Sequence, residues 1–107
     1  MSKYSNFIEG KNVAIVGPAN YLLDLNIGDY IDSFDIVLRI NRGLELIPAY
    51  SQKLGTRTDI LYHCLLETPD NGGPIDINFY KKNNLKWFCI MPKTGYDGKV
   101  YSYRFQK

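Results

Sequence analysis

Short apolar runs alternate with polar, glycine-containing segments along most of the chain. The first run, Val13 to Val16, is continuous and β-branched, which is typical of a strand buried in a parallel sheet. Further runs at 35–40, 58–64 and 85–91 predict three more strands, and weak alternation at 100–105 predicts an edge strand. Because helix-like segments separate these runs, the pattern predicts an α/β fold: a Rossmann-like, mostly parallel sheet flanked by helices.

The connecting segments differ in how clearly they predict helices. In 21–34, apolar residues recur at i, i+3, i+4 and i+7, which predicts a short amphipathic helix. A second helix is predicted at 75–83. In 44–55 the signals are mixed, since Pro48 favours a loop and only Tyr50 to Leu54 favours a single helical turn.

Composition narrows the functional classes. A chain of 107 residues predicts one domain over 1–107, and a net charge of +2 from dispersed basic residues does not predict a nucleic-acid partner. No stretch approaches the roughly 20 apolar residues of a membrane span, and residues 1–11 lack a signal-peptide pattern, so a cytoplasmic protein is expected. Cys64 and Cys89 lack metal-site spacing. Two reduced thiols are expected, with one disulfide as the alternative.

Three strand ends are candidate ligand positions. Ligands of parallel sheets bind beyond the carboxyl ends of the strands, at a topological switch point, which selects 17–20, 39–43 and the segment from His63 onward. Gly17 directly follows a strand, where glycine lets the backbone approach a ligand and the next helix start can hold an anion. In this pattern a nucleotide or another small substrate is the expected ligand.

Asn41 ends the second strand and is the main polar candidate. Its amide can both donate to and accept from ribose hydroxyls or a phosphate. The alternative is that Asn41 only caps the strand, while Arg39 pairs with Asp35 or Asp59. Spacing alone does not decide between these roles.

The order and spacing of residues 12–59 resemble the large sialylmotif of glycosyltransferase family 29, the eukaryotic-type sialyltransferases. The matching segments are Val13-Ala14-Ile15-Val16-Gly17, the run from Ile31 to Arg42 with its I-D-S-x-D-x-V-x-R-x-N pattern, and Leu54-Gly55-Thr56-Arg57-Thr58. A dinucleotide or methyl-donor domain is the competing α/β interpretation, but the chain lacks the glycine fingerprint G-x-G-x-x-G.

The resemblance implies the donor-binding half of a sialyltransferase-type variant of the GT-A fold, with a CMP-activated sugar such as CMP-sialic acid as donor. By this resemblance, Gly17 opens the loop that binds the donor, and Asn41 contacts the nucleotide. The family usually has Asn and Ser after the glycine, where this chain has Pro18 and Ala19, and Asn20 is a shifted replacement for one of them. The predicted donor-binding residues are Gly17, Pro18, Ala19, Asn20, Arg39 and Asn41.

The sequence contains a single histidine as a candidate catalytic residue. A histidine is suited to take the proton of the acceptor hydroxyl near neutral pH, and the family places its own in motifs further downstream, which are not found in 66–107. His63 is the only catalytic candidate, although a lone histidine there is more often structural. The chain is therefore expected to be a truncated or partial glycosyltransferase, with a nucleotide or nucleotide-sugar binding module without turnover as the alternative.

The partners expected from the resemblance are a nucleotide-sugar donor and a glycan acceptor. No Asp-x-Asp metal motif is present, so no metal site and no cofactor are predicted, and the donor is expected to be held by protein groups alone. The acceptor and the oligomeric state are not predicted.

Overall fold

Five strands form one sheet in the computed structural model, which describes residues 3–17, 25–90 and 101–104. The strands are β1 (Val13–Val16), β2 (Ile36–Ile40), β3 (Ile60–His63), β4 (Trp87–Ile90) and β5 (Tyr101–Arg104). β1 to β4 are parallel, and β5 pairs antiparallel with β4. The predicted α/β class, with a Rossmann-like, mostly parallel sheet and an edge strand, is confirmed.

One helix precedes β1, and further helical segments occupy the connections between the first four strands. They are α1 (Lys3–Ile8), α2 (Gly28–Asp32), a 3-10 turn (Asn41–Gly43), α3 (Ile47–Leu54) and α4 (Ile77–Lys82). The predicted helix at 75–83 corresponds to α4, whose N-cap residue Asp76 accepts a hydrogen bond from the Phe79 amide at 3.0 Å. An aspartate in this position satisfies an amide that the helix itself leaves without a partner.

The prediction of a loop around Pro48 was wrong. Pro48 lies in the first turn of α3, where the missing N–H is not needed and the fixed φ suits a helix. α3 kinks at Tyr50, where φ is −126°. The helix predicted at 21–34 is present only as α2, and 21–24 lie outside the described residues.

Helix α2 begins at a glycine because its start touches α3. A Cβ added to Gly28 would lie 2.5 Å from the Ser51 carbonyl oxygen and 2.6 Å from that of Gln52. No larger side chain fits there without moving the backbone. The glycine at the start of α2 is therefore required by the packing of α2 against α3.

The two faces of the sheet carry separate cores. Alternate strand residues point to opposite faces. One face packs against α2, α3 and α4 and includes Val37, Leu61 and Phe88. The other face packs against α1, where Trp87 is covered by the rings of Tyr4 and Phe7 with centroids 5.4 and 6.3 Å away. Burial of this kind stabilises by about 25 cal/mol per Å² of apolar surface, so α1 is held by its aromatic residues.

The strand order follows the chain order from β1 to β5. Among the five described strands the order never reverses, so the expected topological switch point is not found within them. Each described connection moves the chain one position in the same direction. The carboxyl ends of β1, β2 and β3 nevertheless lie side by side, which keeps the candidate positions together.

Candidate functional site

The carboxyl ends of the first three strands form one edge that carries most of the predicted site. In the register, Val16 lies opposite Arg39 and Ile40 lies opposite Tyr62. Gly17 follows β1 directly, and Asn41 follows β2 directly. The structure therefore brings these two predicted residues to adjacent strand ends. The predicted residues Pro18, Ala19 and Asn20 lie outside the described residues.

The described residues around Gly17 do not require a glycine at this position. Its φ is not in the left-handed region. A Cβ added to Gly17 would meet no described atom within 4 Å, whereas one added to Gly43 would lie 3.2 Å from Arg39 Cβ. Packing thus explains the glycine in the 3-10 turn but not the one after β1. A glycine also lets a ligand approach the backbone closely, and the predicted role of Gly17 in donor binding stays a prediction.

Asn41 joins the ends of β2 and β3. Its backbone has a φ of 53°, a left-handed conformation in which asparagine is several-fold enriched among non-glycine residues. Its Oδ1 accepts a hydrogen bond from the Cys64 amide at 3.0 Å. This bond joins the two strand ends and fixes the orientation of the side-chain amide. Contact of Asn41 with a nucleotide stays a prediction. Among the hydrogen bonds between described residues, none uses the Asn41 Nδ2.

Arg39 is fully buried and points into the protein. Its Nε donates to the Arg57 carbonyl oxygen at 3.0 Å and to Thr58 Oγ1 at 2.9 Å, and its Nη2 donates to the same carbonyl at 2.7 Å. Nη1 has no hydrogen-bond partner within the described part of the chain. The bonds tie β2 to the segment before β3, in place of the ion pair expected with Asp35 or Asp59.

Burial lowers the pKa of Arg39 to about 10, whereas the nearby negative charge of Asp32 and the smaller effect of Asp59 raise it. That value is still well above 7, so the guanidinium stays charged at neutral pH. A buried cation that keeps its charge needs its hydrogen bonds satisfied. The predicted contact between Arg39 and a donor stays a prediction.

His63 lies at the end of β3 with both ring nitrogens engaged. Nδ1 accepts from the Leu65 amide at 2.8 Å, so Nε2 carries the proton in the neutral ring and donates it to the Gly73 carbonyl oxygen at 3.1 Å. The side chain is only 2% exposed, and its ring lies 5.8 Å from that of Phe88. These contacts support the structural role.

The Asp70 to Gly73 loop closes over this histidine. A Cβ on Gly72 would lie 2.3 Å from His63 Cε1, so only glycine fits against the ring. Arg42 holds the loop from the other side by donating from Nη1 to the Pro69 carbonyl oxygen at 2.9 Å. The structure shows this loop packed on the strand ends.

A second group of motif residues lies at the opposite, amino edge of the sheet. The Asp32 carboxylate accepts from the Thr56 amide at 2.8 Å and from the Arg57 amide at 3.1 Å. Gly55 has a φ of 85°, and a Cβ there would lie 2.6 Å from Asp32 Oδ1. These residues form a clasp between the end of α2 and the segment before β3.

Asp59 completes the clasp from inside. Its side chain is 7% exposed and accepts from the Val37 amide at 2.8 Å, from Arg57 Nη2 at 2.9 Å and from Lys86 Nζ at 3.1 Å. The Asp35 carboxylate instead accepts from the Asn12 amide at 3.0 Å. Asp59 is therefore a buried carboxylate surrounded by three hydrogen-bond donors.

Sequence reasoning missed a cavity beside the site. A space of about 230 Å³ lies between the 3-10 turn, the start of α3 and α4, and Asn41 lies in its wall. Its further lining includes Leu44, Glu45, Asp76, Phe79 and Tyr80. The only sequence signal was that Asp76 precedes a helix, which marks a cap and not a cavity. A second space, of about 350 Å³, extends from Gly17 along β1 and the apolar side of α2.

Three further features bear on the predictions. Cys64 and Cys89 carry thiols, as expected, and not a disulfide. Across 3–17, 25–90 and 101–104, none of the helices has the length and apolar character to cross a membrane. In the same ranges no three His, Cys, Asp or Glu side chains are grouped to hold a metal ion. Independence of metal stays a prediction.

The comparisons with known proteins support the resemblance. The family model described as glycosyltransferase family 29 (sialyltransferase) matches residues 8–71, which is more than half of the 107-residue chain. Neither the curated proteins nor the solved structures gave a match. The matched segment contains both the clasp at the amino edge and the strand ends that carry Gly17, Asn41 and His63. The chain belongs to glycosyltransferase family 29, the sialyltransferase family.

Proposed function

We propose that this chain binds a CMP-activated sugar, such as CMP-sialic acid, as the donor of a sialyltransferase-type transfer to a glycan. One observation carries the proposal. Gly17 and Asn41, the residues that the resemblance gives to the donor, follow adjacent parallel strands, and nothing described around Gly17 requires a glycine. The expected donor contacts thus meet at the edge where parallel sheets bind ligands.

The two residues have different parts in this proposal. The backbone at Gly17 approaches the phosphate, since the open space there leaves room for an anion. Asn41 donates from Nδ2 to a ribose hydroxyl or a phosphate oxygen. Because the Cys64 amide holds Asn41 Oδ1 in place, the Nδ2 group of the same side chain needs no reorientation when the nucleotide binds.

Binding without transfer is a second candidate, and His63 favours it. Both ring nitrogens of the chain's only histidine are bonded to the main chain. A general base must reach the attacking hydroxyl directly or through one water. His63 meets this condition only if its hydrogen bonds to Leu65 and Gly73 break. The second candidate function is therefore binding of a nucleotide sugar without transfer.

Calorimetry with CMP, CDP, UMP and NAD tests the donor class, and we expect CMP to bind more tightly than NAD. Asn41→Asp keeps the carbonyl-type acceptor for Cys64 but replaces the amide donor by a negative charge. A hydrogen bond to a charged partner contributes about 1.5–3 kcal/mol, so CMP affinity should fall at least about tenfold with little change in thermal stability.

Asn84→Asp is the matched control. Asn84 also has a left-handed backbone, with a φ of 61°, but it is exposed and precedes β4 at the other edge of the sheet. The control makes the same change in charge and should leave CMP affinity unaltered. Tighter binding of NAD than of CMP, or equal affinity of the Asn41→Asp variant and the parent, contradicts the proposal.

A further inference from the structure

We propose that Asn71 is a site of deamidation, and that the product holds the 66–73 loop away from His63. Of the asparagines in the sequence, only Asn71 precedes a glycine, which has no side chain to shield its main-chain nitrogen. Asn71 is exposed, so water reaches its side chain. Asparagine is among the chemically labile residues of proteins. The inference does not depend on the identity of the donor.

The reaction joins two groups that are neighbours in the chain. The Gly72 main-chain nitrogen forms a bond to Asn71 Cγ, the Cγ–Nδ2 bond breaks, and the Gly72 amide proton leaves with Nδ2 as ammonia. Water then opens the resulting succinimide at one of its two carbonyl carbons. Attack at Cγ gives aspartate. Attack at the main-chain carbonyl carbon gives isoaspartate, in which the main chain runs through Cβ and Cγ.

The closed loop holds both reacting groups by hydrogen bonds. The Gly72 amide donates to the Leu66 carbonyl oxygen at 2.8 Å, and Asn71 Nδ2 donates to Thr68 Oγ1 at 2.7 Å. Because ring closure requires the Gly72 nitrogen to lose its proton and turn towards Cγ, its bond to Leu66 must break first. Each of these bonds should slow the reaction by roughly two- to tenfold relative to an open loop. Opening of the loop therefore controls the rate.

The product does not fit the closed loop. Gly72 is buried against His63, and a Cβ added to it would lie 2.3 Å from Cε1 and 2.5 Å from Nε2 of the ring. Isoaspartate lengthens the main chain by one methylene group directly before this contact, where the ring leaves no room. Both products also replace the Nδ2 donor to Thr68 by a carboxylate, in a loop that already carries Glu67 and Asp70.

Displacement of Gly72 releases His63. The ring is 2% exposed, and its Nε2 donates to the carbonyl oxygen of Gly73, the residue that follows Gly72. Its Nδ1 accepts from the Leu65 amide at the other end of the same loop. When Gly72 moves off the ring, the Gly73 carbonyl moves with it. The deamidated chain therefore has a His63 ring that is open to solvent.

Incubation of the purified chain in mildly alkaline buffer, followed by peptide mass spectrometry, tests the reaction. Replacement of the side-chain NH₂ by OH raises the peptide mass, and labelling by protein isoaspartyl methyltransferase distinguishes isoaspartate from aspartate. We expect modification at Asn71, while Asn84, which is exposed and precedes a leucine, stays unmodified in the folded chain. The chain unfolded in urea should react faster at Asn71. Thr68→Val removes the partner of Nδ2 and should speed the reaction of the folded chain by roughly two- to tenfold.

Hydrogen exchange before and after this incubation tests the release of His63. The amides of Leu65, Gly72 and Gly73 should exchange faster in the deamidated chain than in the fresh chain. Asn71→Gln is the matched control, since glutamine cannot close the five-membered ring, and its exchange should not change with time.

Three outcomes overturn the inference. Absence of product at Asn71 in the folded chain, after a time that converts the unfolded chain fully, refutes the site. Equal rates in the folded and unfolded chains refute control by the loop. Exchange of the three amides that is unchanged by deamidation refutes the release of His63. None of these measurements uses CMP, so failure of the donor proposal is seen separately.

Discussion

Gly17→Ala should separate ligand binding from stability. The added Cβ meets no described atom within 4 Å, and the φ of Gly17 is accessible to alanine. Folding stability should therefore be unchanged or rise by up to about 1 kcal/mol, because alanine restricts the unfolded chain. In the proposed donor site, the same methyl group occupies the space through which the phosphate approaches the backbone. Loss of one hydrogen bond to a charged group costs about 1.5–3 kcal/mol, which corresponds to a roughly ten- to hundredfold weaker affinity for CMP.

Gly72→Ala is the matched control, since its φ is also accessible to alanine. Its Cβ would lie 2.3 Å from His63 Cε1, and overpacking of this kind costs about 1–3 kcal/mol. Thermal unfolding should show a melting temperature lower by roughly 4–20 °C, while calorimetry at a temperature where the variant is folded should show CMP affinity close to the parent. The reasoning is refuted if Gly17→Ala lowers the melting temperature as Gly72→Ala does, or leaves CMP affinity intact.

Two further predictions concern the buried polar groups. Arg39→Met should destabilise the fold by about 1–3 kcal/mol, because it leaves the carbonyl oxygen of Arg57 without its donor; chemical denaturation measures this, and an unchanged midpoint would show that the buried network contributes nothing. Incubation with CMP-sialic acid and a panel of galactosides should give no product that depends on His63, because its ring nitrogens hold the 63–73 segment. Product detected by mass spectrometry that disappears in a folded His63→Gln variant would show that this histidine acts as a base.

The strands and the main site edge could be predicted from the sequence because they depend on local patterns. The continuous apolar run of β2 lies in a strand covered on both faces, whereas β1 leaves Ile15 68% exposed. Parallel strands place the residues that follow them at one edge of the sheet. Gly17 and Asn41 therefore lie where the spacing put them. The family motif added the expected role of each residue, which spacing alone left undecided.

The helices were less predictable, since contacts far along the chain decide them. α1 has a polar sequence, and its place depends on Tyr4 and Phe7 meeting Trp87 on the sheet. Gly28 opens α2 because of the Ser51 and Gln52 carbonyl oxygens of α3, which no local pattern reveals. The cavity beside Asn41 was unpredictable for the same reason, because the 3-10 turn, α3 and α4 each supply part of it.

The family motif serves two physical purposes at opposite edges of the sheet. Asp32, Gly55 and Arg57 precede strands, and their bonds close the clasp that joins α2 to the segment before β3. Gly17 and Asn41 follow strands and lie at the edge where we propose that the donor binds. Because β2 runs from the clasp to Asn41 within five residues, the clasp fixes the strand whose end carries the candidate donor contact. Substitutions in the clasp should therefore lower ligand affinity indirectly, because they destabilise the fold. Substitutions at the carboxyl edge should lower ligand affinity directly and leave the fold stable.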